Sequence, residues 1–420
     1  MERSGMYAWV EMGNPAMRPG AAGFDVSIAG TKMNLAPITA NPGETEPIMF
    51  QGVKGGPIKV SSLDAKSQVV SKRTLLGDSF EEITAFAESR LDSHYYFTWY
   101  DQKSPGSLDW VLIANPGTST VQADVYIAGN KMNASPYSIS SGGTVTPTYP
   151  GVIGGPVEVV AYEPGSPSVP RNVIASQRVL WSGNFNEVFG IPARELTNDY
   201  LFTWYDMKSA GALDWVLISN PDAGRDMVAE IWIAGNRMTN SATGDQYYEV
   251  PASGIVTQVF PGNIGGPVEV RGYDATTYNP DSPGAPNMNF YTTQRVLFGT
   301  SFGETVGYGT NRLSSDYHYS WYDQHSAGSL NWVLVSNPTA SEVKAEVWIA
   351  GTRMEVLTIA PGATKTPTYG GVIGGPVEVK GYDSATYNPG NPGLSNRNVF
   401  TSQRVLWNGH FNEVEGMVLP

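Results

Sequence analysis

The sequence predicts an all-β protein built from a tandem array of four β-sandwich units of immunoglobulin-like architecture. Three observations carry this. A Trp-Val…Asn-Pro element recurs at Trp9, Trp110, Trp215 and Trp332, in steps of 101, 105 and 117 residues. That period is too long for a solenoid turn and suits domains with their own cores. Segments such as PVEVRGY and PVEVKGY alternate apolar with charged residues, as a strand with one wet face does. Gly and Pro are abundant (47 and 30 of 420 residues), and they punctuate the chain about every ten residues, the spacing of a sandwich.

Each unit repeats its elements in one order. The full form carries FTWYDQKSPGSLDWVLIANP, matched by FTWYDMKSAGALDWVLISNP from Phe202 and YSWYDQHSAGSLNWVLVSNP from Tyr319. An Ile-Ala-Gly element follows, ending at Gly30, Gly129, Gly235 and Gly351, and strands rich in β-branched and aromatic residues lead into it. Gly-Gly-Pro comes next, ending at Pro57, Pro156, Pro267 and Pro376. Lys/Gln-Arg and Phe-x-Glu elements close the unit. The resulting boundaries are 1–90, 91–196, 197–313 and 314–420.

The first unit has the WVxxxNP element but no FTWYD. The fourth is followed by only seven residues after Glu413, where another connector would still be running. FTWYD either opens each unit or closes it; in both phasings one terminal sandwich is a strand short. An unpaired strand edge invites strand addition from another molecule. The expected donors are the terminal segments Met1–Ala8 and Glu415–Pro420, giving head-to-tail contacts. The first unit also carries Glu11 for Leu112, Ser27 for Tyr126 and Lys59 for Glu158, which reads as polar capping of a terminal repeat.

Net charge is −13, which argues against nucleic acid and anionic membranes as partners. There is no cysteine, so disulfides and thiol chemistry are excluded. No apolar run approaches the ~20 residues of a membrane span.

The quoted run, with IAG, GGPVEV and SQRVLWxGxFNEVxG, resembles a tandem domain of bacterial secreted and cell-surface proteins. The resemblance spans all four units, the first only in part. It implies an extracellular or cell-surface location and a structural or adhesive role, and brings no catalytic residues with it.

The four histidines do not recur between repeats, and no Ser-His-Asp set or HExxH spacing is present, so catalysis is not expected. No cofactor is expected either. Asp101, Asp206 and Asp323, with Asp109, Asp214 and Asn331 eight residues on, present oxygens around a Gly-containing loop. Ca²⁺ is one use for them, but it needs six or more oxygen ligands; capping of their own turn is the favoured reading. Arg73, Arg178, Arg295 and Arg404 precede Glu82, Glu187, Glu304 and Glu413 by nine residues each, which predicts ion pairs across neighbouring strands. Tyr126, Trp232 and Trp348 alternate with inward-facing Val and Ile and are candidates for an exposed interface. Tyr278 and Tyr387, in the longer loops, are further candidates. The expected function is a non-catalytic structural subunit that self-associates head to tail into a filament or surface layer. The alternative is an adhesin or carbohydrate-binding array for cell-wall or extracellular polysaccharide.

Overall fold

A computed structural model of the protein describes residues 6–16, 19–64 and 68–419. Among these the chain is all β: its only helical elements are three 3₁₀ turns, Glu88–Arg90, Ala193–Glu195 and Thr310–Arg312. None is long or apolar enough to cross a membrane. Each turn lies shortly before one of the strands His94–Phe97, Asp199–Phe202 and Asp316–Tyr319.

The second unit shows the plan. One antiparallel sheet has the order Thr144–Val145, Ser107–Ala114, Ile174–Trp181, Asn184–Phe189. The facing sheet places Val157–Glu163 between Val121–Ile127 and His94–Phe97. Alternation puts Val157, Val159 and Ala161 into the core with Tyr95 and Phe97. The Ile-Ala-Gly signature is a two-residue hairpin turn: Ile127 pairs with Asn130, and Ala128 and Gly129 have φ of 48° and 74°. A type I′ turn needs positive φ at both positions, which explains the Gly. Gly155 has a different reason. A Cβ there would stand 1.9 Å from the carbonyl oxygen of Thr98, so the Gly-Gly-Pro element passes against the FTWYD strand with no room for a side chain.

The FTWYD strand opens its unit. His94–Phe97 pairs with Val157–Val160, Asp199–Phe202 with Val268–Arg271, and Asp316–Tyr319 with Val377–Lys380. The vacancy therefore lies in the first unit. There Ile58–Ser62 pairs with Ala22–Ile28 on one side, and among the described residues no strand pairs with its other edge.

The four units do not run out in a line. Their closing strands, Ser79–Thr84, Asn184–Phe189, Ser301–Val306 and His410–Glu415, pack each against the next, and the fourth against the first. The result is a closed ring of pseudo-fourfold symmetry. Trp181 stacks near Phe302, Phe298 near Phe411 and Trp407 near Phe80, at 5.6, 6.3 and 6.1 Å, so the fourth unit meets the first as the second meets the third.

Ring closure corrects two expectations. Glu11 is not a solvent-facing cap: it is 3% exposed and accepts a hydrogen bond from Ser320 of the fourth unit (2.7 Å), while Leu112, Leu217 and Leu334 are buried at the matching sites. The terminal segments are not free donors. Met6–Ala8 pairs with Thr74–Leu76, Glu415 pairs with Ser402, and Met417 bridges to His318. Residues 1–5 and 420 lie outside the described residues.

Candidate functional site: the ring interfaces and the open edge

Every predicted arginine lies directly opposite its glutamate on the neighbouring strand. The separations are 2.8 Å for Arg73–Glu82, 2.9 Å for Arg178–Glu187, 2.8 Å for Arg295–Glu304 and 2.7 Å for Arg404–Glu413. Each guanidinium also sits 5.4–5.8 Å from the ring of the Phe two residues before that glutamate. The arginine is thus held between a carboxylate and an aromatic face, a geometry that suits a delocalised planar cation.

Three of these pairs are not merely internal braces, because a hydroxyl of the preceding unit in the ring reaches them. Thr203 donates to Glu413 (2.8 Å) and lies 2.6 Å from Ser402; Ser320 lies 2.9 Å from Glu82 and 2.6 Å from Ser71. Thr98 approaches Thr293 and Glu304 in the same way, at 2.7 and 3.5 Å. The hydroxyl is the residue after the Phe or Tyr in FTWYD and YSWYD. Its recurrence was visible in the sequence, but its role needs a partner unit to be seen.

At the junction of the first and second units no such hydroxyl exists, and Lys72 stands in. It occupies the position of Gln177, Gln294 and Gln403, whose amides donate to the carbonyls of Trp99, Trp204 and Trp321. Lys72 instead reaches Glu187 of the second unit at 2.7 Å. Burial alone would raise the Glu187 pKa, but Lys72 and Arg178 hold it at about 2. On the ring axis, Glu81 accepts from Asn186 and Asn412, which are its own counterparts in the second and fourth units. Burial pushes its pKa well above the usual carboxylate range. At one end of the axis the connectors converge, with Glu195 bonded to Arg90 (2.7 Å) and Arg312 (3.3 Å).

Asp101, Asp206 and Asp323 each accept two backbone N–H groups of their own turn, at 2.8–2.9 Å. Asp109 and Asp214 lie behind these turns, both 1% exposed, and burial raises them to about 7 and about 8. Among the described residues no group of three His, Asp or Glu is arranged to hold a metal ion. The histidines are scattered: His94 lies by Glu158 (3.4 Å), His318 by Asp316 (3.2 Å), and His410 by Asn184 (3.3 Å).

Tyr126, Trp232 and Trp348 face outward as expected, but are half-buried. Arg271 sits 5.0 Å over the Trp232 ring, and Arg353 and Lys380 lie 5.8 and 5.7 Å from that of Trp348. The long loops fold back over the same faces. Tyr278 donates to Glu230 (3.1 Å) and Tyr387 to Glu346 (2.7 Å), so both act as clasps within their own units. A cleft of about 210 Å³ between the third and fourth units is lined by Trp204, Trp332, Phe298, Phe411, Asp206 and Arg404, among others.

No protein-family model matches the chain, and no curated protein is detectably similar to it in sequence.

Proposed function

We propose that the protein is a non-catalytic extracellular structural protein, a subunit that assembles into a filament or surface layer. The observation that carries this is the unpaired edge at Ile58–Ser62. The equivalent edge in each of the other three units is paired with that unit's own FTWYD or YSWYD strand, and exposed strand edges are rarely left unprotected in soluble proteins. The resemblance of its repeats to those of bacterial cell-surface proteins supports the location. Because the fourth unit already docks on the first, contacts between copies run through the open edge rather than between chain termini. Negative-stain microscopy of the purified protein tests this: ordered polymers are expected, and dispersed single rings at all concentrations would overturn it.

A second reading, binding of a cell-wall or extracellular polysaccharide, is favoured by the cleft lined by Trp204 and Trp332. Apolar ring faces flanked by Asp206 and Arg404 suit a sugar. Retention on a polysaccharide column that is lost in Trp332→Ala would support it.

A further inference from the structure

We infer that the first unit is an acceptor for a strand of the Tyr-x-aromatic-Thr/Ser pattern. This deepens the assembly reading and rests on it. The pattern comes from the molecule itself: the same slot holds Tyr95–Thr98, Tyr200–Thr203 and Tyr317–Ser320 in the other units.

Four features of the empty slot match such a strand. The first is space. Gly155, Gly266 and Gly375 are glycines because a Cβ would lie 1.9–2.0 Å from the carbonyl oxygens of Thr98, Thr203 and Ser320. The first unit keeps the glycine, Gly56, although a Cβ there would meet only the Thr144 hydroxyl, at 3.4 Å.

The second is an unused donor. Thr364 donates to the carbonyl of Thr203 (3.1 Å) and Thr45 to that of Ser320 (2.7 Å), each across a ring interface. Thr144 holds the equivalent position facing the first unit, and its hydroxyl oxygen is buried with no partner. A carbonyl placed as in the other units would accept from it.

The third is an apolar floor. Ile58 and Val60 are half-buried, whereas their counterparts Val157 and Val159 are fully buried beneath Tyr95 and Phe97. Beside them both polar atoms of the Gln68 side chain are buried and unpartnered. Gln68 stands where Val173 and Phe290 accept the tyrosine hydroxyls of Tyr95 and Tyr200 at 2.8 Å. The fourth is continuity. The slot lies on the junction between the first and second units, where Ser176 and Glu187 repeat the hydroxyl–carboxylate pair that receives Thr98, Thr203 and Ser320 elsewhere.

The test titrates dispersed full-length protein with a synthetic peptide, DSHYYFTWYDQ, the sequence of residues 92–102. Calorimetry reads the affinity and amide hydrogen exchange reads the place. Saturable one-to-one binding is expected, with new protection confined to Ile58–Ser62 and the adjoining strand Ile174–Trp181. Gly56→Ala, which the free slot accommodates, should weaken binding by roughly tenfold or more by blocking the carbonyl, and Thr144→Val by about tenfold, the scale of one buried hydrogen bond. Both variants should unfold at the wild-type temperature. No binding, equal binding to Gly56→Ala, or protection elsewhere would overturn the inference. Peptide binding by a protein that never polymerises would overturn the assembly reading and leave the acceptor slot standing.

Discussion

Replacing Asp109 with Asn should stabilise the protein at neutral pH and leave it unchanged in mild acid. The fourth unit already makes this substitution. There Asn331 accepts from Gln403 (2.9 Å) and donates to the Asp323 carbonyl (2.8 Å). Asp109 accepts from the Asp101 N–H (2.7 Å) and from Gln177 (3.1 Å), but its other oxygen is buried without a partner. Only a protonated carboxyl has a hydrogen to give at that point. Burial accordingly raises its pKa from 3.8 to about 7. Between those values the folded state binds a proton the unfolded state has lost, so this group's contribution falls as pH rises. Three pK units amount to about 4 kcal/mol. Asp109→Asn removes that cost, so it should gain on the order of 2–4 kcal/mol at pH 8 and nothing near pH 4. Asp214→Asn should behave alike with its window extended to about 8. Asn331→Asp should do the reverse. Urea unfolding midpoints for each variant from pH 4 to pH 8 measure the difference directly. A pH-independent difference between Asp109→Asn and wild type, or a loss of stability at pH 8, would refute the reasoning.

Lys72→Met should cost about 2 kcal/mol at pH 7, the scale of breaking a partly buried pair. Because the Glu187 pKa is depressed to about 2, that contribution exists above pH 4.5 and fades toward pH 2, so the gap between variant and wild type should close on acidification. Thr203→Val should cost about 1–3 kcal/mol by leaving Glu413 short of a donor at the interface of the third and fourth units. Gly155→Ala places a Cβ against the Thr98 carbonyl and should cost several kcal/mol or abolish folding, seen as loss of the cooperative thermal transition. Trp232→Ala with Trp348→Ala should disperse polymers if those faces take part in assembly, and should leave microscopy unchanged if Arg271, Arg353 and Lys380 already satisfy them.

Much of this was legible in the sequence, because period-two alternation and turn residues are local signals. The Arg178–Glu187 pairing followed from spacing alone, since a two-residue hairpin between the strands fixes which residues face each other. The strand vacancy followed from counting repeats. Ring closure did not. Alternation tells which face of a strand is inward, but not whether the other face meets water or a neighbouring unit. Leu112, Leu217 and Leu334 were the available hint: apolar residues on the supposedly wet face, which the ring buries. Glu11 at the same site looked like a solvated cap because a carboxylate is normally exposed. It is instead paired with Arg73 (3.2 Å) and Ser320, with burial raising its pKa. The outward tryptophans were placed on the right face, but the cations that cover them come from neighbouring strands, which the alternation along one strand does not connect.

The most direct test of the account is amide hydrogen exchange over Ile58–Ser62, compared between dispersed rings and assembled material. The account predicts fast exchange at the outer edge of that strand in the dispersed protein and strong protection after assembly, with the strands of the other three units protected in both. Equal protection in both states, or an edge that still exchanges freely in the polymer, would contradict it.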